Sequence, residues 1–172
     1  MRIERVISGG QTGADQAGWR AAEARGIPTG GWMPLGYRTE GQPDGEGGTG
    51  PDESHPEFAG RYGARAHESL EYRLRTRANV QEADAVAWFG DPLSRDGRLT
   101  LGLARLLSRA AFVVEPGEDG RPVPPPAELA DWLCDQAVGT LLVAGNRESK
   151  APGIGTWVEA YLDEVFRSLH PR

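Results

Sequence analysis

Short apolar runs alternate with amphipathic segments along this chain of 172 residues, and that alternation restricts the fold more than any other feature. The apolar runs predict strands over residues 3–8, 27–32, 83–89, 111–115 and 140–144. The amphipathic segments predict helices over residues 14–25, 67–82, 99–109, 126–137 and 154–169. Strands that are apolar on both faces are typical of a parallel sheet that helices cover on both sides. We therefore predict one α/β domain over residues 1–172, with a doubly wound parallel sheet.

Two segments interrupt this pattern and predict loops. Residues 37–60 contain six Gly, three Pro and six acidic residues against a single Arg, and they show no apolar periodicity. This composition favours a long acidic loop inserted into the domain. Residues 115–126 include a run of three prolines and predict a second loop.

Composition narrows the class of function. The net charge of −6 argues against a nucleic-acid-binding protein, which needs a basic surface for the phosphate backbone. The single cysteine, Cys134, excludes a disulfide framework, and we interpret it as a small buried apolar residue. The three histidines lack the spacing of metal ligands, so no protein-bound metal is expected. No apolar run reaches membrane-spanning length and the start lacks a signal-peptide core, so we expect a cytoplasmic protein without membrane contacts.

The first motif that could carry function joins the first predicted strand to the first predicted helix. It reads Ser8-Gly9-Gly10-Gln11-Thr12-Gly13-Ala14-Asp15. Glycines let backbone N–H groups approach a ligand, and a helix N-terminus attracts phosphate. The alternative interpretation is structural, because Thr12 and Asp15 have the spacing of a capping box.

The second motif has the same position relative to the last strand and the last helix. It reads Gly145-Asn146-Arg147-Glu148-Ser149-Lys150-Ala151-Pro152-Gly153-Ile154-Gly155-Thr156. Arg147 offers charge for an anion, and Asn146 and Ser149 offer hydrogen bonds. Both loops follow carboxyl ends of parallel strands, so they can share one crevice. The alternative is an ordinary loop with solvated charges.

Two further segments add candidate residues. Arg75-Thr76-Arg77-Ala78-Asn79 precedes the strand at 83–89, where Arg75 could neutralise a ligand's charge and Asn79 could orient it. The alternative is that these arginines complement a helix C-terminus. Asp96-Gly97-Arg98-Leu99-Thr100 predicts a turn between a strand and a helix.

The stretches 7–15, 26–32, 75–80 and 143–154 together resemble the putative molybdenum carrier family of the Rossmann-like SLOG superfamily, to which the Lonely-guy phosphoribohydrolases are related. The resemblance implies a Rossmann-like sheet, a homo-oligomer (dimer or tetramer) and a crevice for molybdenum cofactor, a pterin that carries a phosphate and an oxomolybdenum group. The sequence departs from the family pattern in its longer acidic segment, in Ala66 where a Glu is usual, and in Asp96-Gly97-Arg98 where a Gly-Gly turn is usual.

From the motifs and the resemblance we expect a carrier or storage protein for a phosphate-bearing small molecule, either molybdenum cofactor or a related pterin or nucleotide. The residues expected to bind this ligand come from all the motifs and are Gly9, Gly10, Gln11, Thr12, Gly13, Asp15, Gly31, Arg75, Thr76, Asn79, Thr100, Gly145, Asn146, Arg147, Glu148, Ser149, Gly153, Gly155 and Thr156.

Two alternatives remain open. Residues 152–159 resemble a shortened form of the Lonely-guy motif, which would make Glu159, with Arg75, catalytic in the hydrolysis of a nucleoside 5'-monophosphate. A sensor of a nucleotide-derived signal would use the same loops. An oligomer is also expected because the last helix carries Trp157, Tyr161, Phe166 and Leu169 on a nearly continuous apolar stripe.

Overall fold

The structure is a computed structural model that describes residues 3–42, 44 and 48–170. Seven of its strands form one sheet in the order β5-β2-β1-β9-β6-β7-β8. The strands of this sheet are β1 (Arg5–Ile7), β2 (Thr29–Met33), β5 (Ala64–Ala66), β6 (Ala85–Phe89), β7 (Ala110–Pro116), β8 (Pro122–Val123) and β9 (Thr140–Gly145). All pairs are parallel except β7 with β8. The predicted α/β fold with a doubly wound sheet is confirmed.

Helices cover both faces of the sheet. They are α1 (Ala14–Ala24), α2 (Glu57–Tyr62), α3 (Tyr72–Glu82), α4 (Arg95–Leu106), α5 (Pro126–Asp135) and α6 (Ile154–Leu169). The larger core cluster lies under α1, α5 and α6, and a smaller one lies under α3 and α4. Burial of apolar surface on both faces is the main force that holds such a sheet.

The apolar stripe of α6 is used inside the chain itself. Tyr161 and Phe166 are buried, and Trp157 and Leu169 pack against the larger core cluster. Because the chain itself covers most of this stripe, the stripe does not require a second subunit, and the homo-oligomer stays a prediction that rests on the family resemblance.

Several predicted boundaries are wrong for local reasons. The helix predicted over 67–82 begins only at Tyr72, because the chain before it completes strand β5 and His67 N donates to Met33 O across the sheet. The helix predicted from residue 99 begins at Arg95, where the Ser94 hydroxyl accepts a hydrogen bond from Gly97 N. A serine N-cap of this kind starts a helix ahead of its apolar residues.

The acidic segment 37–60 is more ordered than a long loop. It contains a two-stranded antiparallel ribbon, β3 (Arg38–Thr39) with β4 (Glu53–Ser54), and the start of α2. Tyr62, at the end of α2, stacks on the buried Trp19 at 4.7 Å between ring centroids, and Phe58 contacts both rings. Two aromatic anchors suffice to hold the segment but are too few to create a periodic pattern. Residues 43 and 45–47 lie outside the described residues.

Three smaller findings complete the fold. Cys134 is exposed on α5, which corrects its interpretation as a buried residue. The proline-rich loop at 115–126 includes β8, and the Tyr161 hydroxyl donates to Pro124 O within it at 2.9 Å. None of the helices formed by the described residues is both long and apolar enough to cross a membrane.

Candidate functional site

The loops that follow β1, β6 and β9 meet at the centre of the sheet, and Asn146 joins them. Its backbone carbonyl accepts from Ala14 N at 3.3 Å, and its side-chain Oδ1 accepts from Asp91 N at 2.7 Å. Its Nδ2 donates to the Ser94 hydroxyl at 3.1 Å. The structure thus brings the two Gly-rich loops to one crevice, where the strand order reverses and ligands of such sheets bind.

A narrow inner cavity of about 40 Å³ opens beside α3 and α4 at this crevice. Many of the expected ligand residues line it, namely Gly9, Gln11, Asp15, Arg75, Thr76, Asn79, Thr100, Gly145 and Arg147. Sequence reasoning missed Tyr72 and Trp88, which also line it. Tyr72 lies in the segment predicted as mid-helix, and Trp88 lies in an apolar strand, so neither carried a signal of function.

A wider outer cleft of about 550 Å³ adjoins the inner cavity. It shares Tyr72, Asp96, Leu99 and Arg147 with the cavity and adds Leu70. The guanidinium carbons of Arg75 and Arg147 each lie 5.3 Å from the centre of the Tyr72 ring. Arg75 belongs to the first turn of α3, which corrects its placement near a helix C-terminus.

Two acidic residues face these arginines. Asp15 Oδ2 lies 3.9 Å from Arg75 Nη1, and Asp96 Oδ2 lies 3.3 Å from Arg147 Nε. Burial raises the pKa of Asp15 to about 6, although Arg75, Arg147 and a hydrogen bond from Gln11 N act in the opposite direction. Burial also lowers the pKa of Arg75. Both directions show that the protein alone solvates this pair poorly.

Three residues that line the inner cavity carry buried N–H groups without a partner among the described residues. These groups are Gln11 Nε2, Arg75 Nε and Trp88 Nε1. Gln11 and Trp88 expose only 5% and 1% of their surface. An unpaired buried donor costs about 1–3 kcal/mol, so three around one cavity are unusual.

A second polar region, the loop junction, consists of Thr12, Glu40, Glu148 and Ser149 and lies beside α1 and α6. The buried Glu40 carboxylate accepts hydrogen bonds from the Thr12 hydroxyl and from the backbone and hydroxyl of Ser149. Burial alone would raise the pKa of Glu40, but these bonds and the Arg147 charge lower it below its usual value. The acidic segment is thereby fastened across both Gly-rich loops.

The N-terminus of α6 is also occupied by a side chain of the protein. The Glu148 carboxylate accepts from Gly153 N and, at 3.0 Å, from Gly155 N. At α1, Ala14 N donates to Asn146 O, and Gln11 N donates to Asp15 Oδ2 at 3.3 Å. Carboxylates and a carbonyl of the chain therefore fill the positions where we expected a phosphate.

The other residues that are expected to bind the ligand do not line the inner cavity. A Cβ on Gly10 would lie 2.7 Å from the Trp19 ring, and one on Gly31 would lie 2.1 Å from Ser8 O. Gly13 lines the groove at the loop junction. Gly153 and Thr156 are exposed at the start of α6.

Glu159 does not line the cavity or the cleft. Its carboxylate pairs with Arg20 Nε at 2.6 Å, half-exposed between α6 and α1. Catalysis by Glu159 stays a hypothesis without a structural contact to the site. In the described part of the chain, no group of His, Cys, Asp and Glu side chains could hold a metal ion.

Comparison with known proteins places the chain in a SLOG family. Residues 6–166 match the model of a family described as the circularly permutated YpsA SLOG family. The chain is also similar to a solved structure, a putative molybdenum carrier protein from Syntrophus aciditrophicus SB, with 29% identity and a TM-score of 0.76. The similarity covers 95% of this chain and 94% of that one. No curated protein matches the chain.

Proposed function

Because this chain belongs to the circularly permutated YpsA SLOG family, we propose that it binds a phosphate-bearing small molecule as a carrier or storage protein. The molecule is molybdenum cofactor or a related pterin or nucleotide. The name of the structural relative from Syntrophus aciditrophicus supports the choice of molybdenum cofactor.

The observation that carries the proposal is the pair of arginines on one aromatic ring at the crevice. Arg75 and Arg147 both contact the Tyr72 ring, one from α3 and one from the loop after β9. Arg147 is about one quarter exposed, so its guanidinium is accessible from the outer cleft. Two guanidinium groups that converge in this way are suited to bind a phosphate group.

The outer cleft has room for the rest of such a ligand. Leu70, Tyr72 and Leu99 give its wall apolar and aromatic surface, and Arg73 and Arg95 border it. Contact with this kind of surface would stabilise a bound planar pterin or purine ring, and the arginines would neutralise the charge of its phosphate. The residues offer no thiolate, so a molybdenum atom would be held by the pterin's own sulfur atoms.

Native mass spectrometry with metal analysis, on protein from a molybdenum-replete host, tests the proposal. We expect a bound pterin or nucleotide of about one copy per chain, with molybdenum if the ligand is the cofactor. Arg147→Gln should lose most of it, because a buried phosphate would lose a charge-assisted contact.

Arg105→Gln is the matched control, since Arg105 is exposed on α4 and lines neither the cavity nor the cleft. It should retain the ligand at the wild-type level. Absence of any bound small molecule, together with no heat in titrations with AMP and a reduced pterin phosphate, would contradict the proposal.

A further inference from the structure

The inner cavity has its own binding chemistry, distinct from that of the outer cleft. We propose that it binds one tetrahedral oxyanion group, of the size of phosphate or sulfate, through Gln11, Arg75 and Trp88. The inference rests on the proposed function in that it assigns the ligand to the same crevice. It adds the class of the group that fills the deepest part of the crevice.

The donors around the cavity are fixed in orientation. Gln11 Oε1 accepts from Thr12 N at 3.0 Å and from Glu40 N at 2.9 Å. The side-chain amide therefore cannot exchange its oxygen and nitrogen without losing both bonds, and Nε2 is left as a donor without a partner. Trp88 Nε1 is a donor that has no acceptor function, so only an acceptor can satisfy it.

Arg75 brings positive charge to the same place. A Cβ on Gly9 would lie only 1.5 Å from Arg75 Nη1, so the guanidinium lies directly against the backbone of the first Gly-rich loop. Within the described part of the chain, its single ion-pair contact is the one to Asp15 at 3.9 Å, and its Nε has no hydrogen-bond partner. A buried guanidinium with this few contacts is strongly favoured to bind an anion.

Size selects a small ligand group. A volume of about 40 Å³ corresponds to roughly three positions for a water-sized probe. This size is of the order of a single tetrahedral oxyanion group and is too small for a purine or a pterin ring. The outer cleft, at about 550 Å³, has room for a ring system.

The charges facing the cavity set the strength of binding. Arg75 and Arg147 attract an oxyanion, and Asp15 and Asp96 repel it when they are ionised. The Thr100 hydroxyl, on a residue that is 5% exposed, adds a neutral hydrogen-bonding group on the α4 side. The net attraction therefore comes from donors and from Arg75 in a poorly solvated place, where hydrogen bonds to anions are strong.

Titration calorimetry with sodium sulfate at pH 6, in a buffer free of other oxyanions, tests the site. We expect one sulfate per chain. Gln11→Glu keeps the Oε1 acceptor but replaces the donor with an oxygen, and it should weaken sulfate binding by about tenfold or more. Trp88→Phe keeps a buried aromatic ring but removes the indole N–H together with part of the ring volume, and it should weaken binding by about threefold to tenfold.

Arg77→Gln is the matched control for charge, because Arg77 is exposed on the same helix as Arg75 and does not line the cavity. It should bind sulfate like the wild type. In ¹H–¹⁵N spectra, the Trp88 indole resonance, assigned from Trp88→Phe, should move when sulfate is added. Folding of each variant is checked by its melting curve.

The results of these titrations separate the inference from the proposed function. Absence of sulfate binding to the wild type, or wild-type affinity in both Gln11→Glu and Trp88→Phe, would overturn the inference. Sulfate that binds while AMP and a reduced pterin phosphate do not would support the inference and contradict the proposed function. Binding of AMP that sulfate and phosphate do not displace would support the proposed function and overturn the inference, whereas displacement would identify the ester's phosphate as the group that enters the cavity.

Discussion

The loop junction and the inner cavity lie beside the same two Gly-rich loops, but they differ in whether their polar groups have hydrogen-bond partners. At the junction, the carboxylates of Glu40 and Glu148 accept hydrogen bonds from loop hydroxyls and backbone N–H groups. In the cavity, N–H donors of Arg75 and Trp88 find no partner among the residues that the structure describes. Gln11 belongs to both regions: its oxygen is bonded at the junction, and its nitrogen has no partner among those same residues.

This difference distinguishes a region that stabilises the fold, the loop junction, from a region whose donors are available for a ligand, the inner cavity. A satisfied network stabilises the loops and rigidifies them. Unpaired buried donors reduce stability unless a ligand supplies acceptors, which is the usual relation between function and stability at binding sites. The positive ends of α1 and α6 therefore hold the loops together, and the proposed binding site lies next to them.

The largest effect is expected where the junction is broken at its backbone. A Cβ on Gly13 would lie 2.6 Å from Asn146 O and 2.7 Å from Glu148 N, at a φ of +79°. Gly13→Ala should lower the free energy of unfolding by about 3 kcal/mol or more, from overpacking and backbone strain together. Urea denaturation measures it.

Gly26→Ala is the matched control for the strain alone. Gly26 also has a positive φ, of +65°, but its Cβ would meet nothing within 4 Å. Gly26→Ala should lower the free energy of unfolding by only about 1 kcal/mol. Equal losses in the two variants would show that the junction is not tightly packed.

The next largest effect concerns the carboxylate that fastens the acidic segment. Glu40→Ala leaves the Thr12 hydroxyl and Ser149 N without their acceptor, so we expect a loss of about 2 kcal/mol. Asp52→Ala, at an exposed position of the same segment, should have almost no effect. The pKa of Glu40 is lowered in the folded state. Its contribution to the free energy of unfolding should therefore be complete above the ordinary pKa of glutamate, and it should be lost as the pH falls through the lower pKa of the folded state.

If Glu40 only fastens the loops, Glu40→Ala should leave sulfate affinity in the cavity within about twofold of the wild type. A larger change in sulfate affinity would mean that the two regions are coupled and do not act separately.

A moderate effect is expected from protonation of Asp15. Its pKa is raised to about 6 by burial, despite Arg75, so the carboxyl is protonated below that pH and ionised above it. The ionised form adds to the repulsion of sulfate by Asp96. Sulfate affinity should therefore fall as the pH rises from 5 to 8, by at most about tenfold per pH unit near pH 6.

The same shift affects stability with a definite sign. Between the usual pKa of aspartate and about 6, the folded state retains a proton that the unfolded state has lost, so stability should decrease across this range and level off above it. Calorimetry at several pH values checks both effects, and Asp15→Asn should flatten both profiles. A pH-independent sulfate affinity in the wild type would place the titrating group elsewhere.

The smallest effect is expected at Glu159, which lies outside both regions. Its half-exposed pair with Arg20 should contribute less than about 1 kcal/mol, so Glu159→Gln should change stability and sulfate affinity only slightly. Asp163→Asn, at another surface pair of α6, is the control. Liquid chromatography of an overnight incubation with AMP should show no free base from the wild type. Release of base by the wild type but not by Glu159→Gln would mean that the protein is a hydrolase and not a carrier.

Much of the fold could be predicted because its signals are local. The strands at β6 and β9 are apolar on both faces, and α6 repeats its apolar residues with helical spacing. The family could be recognised for a related reason, since its motifs are contiguous stretches at strand ends. Element boundaries were less predictable, because Ser94 starts α4 through a side-chain bond that no periodicity reveals.

The division of the candidate residues between two regions could not be predicted in this way. Gln11, Arg75 and Arg147 line the cavity as expected, but Thr12 and Ser149 bind the carboxylate of Glu40 instead of facing it. Glu40 was counted only as one charge of an acidic loop.

The sequence alone determined the alternation of strands and helices, the two Gly-rich loops at one sheet edge and the family. Only the tertiary structure decided which acceptors those loops bind and which donors stay unpaired. Thr12 meets Glu40 across 28 positions, and Ser149 meets it across 109. Contacts between such distant positions depend on how the helices and the acidic segment pack, and burial, which turns an unpaired N–H into a binding group, exists only once the chain has folded.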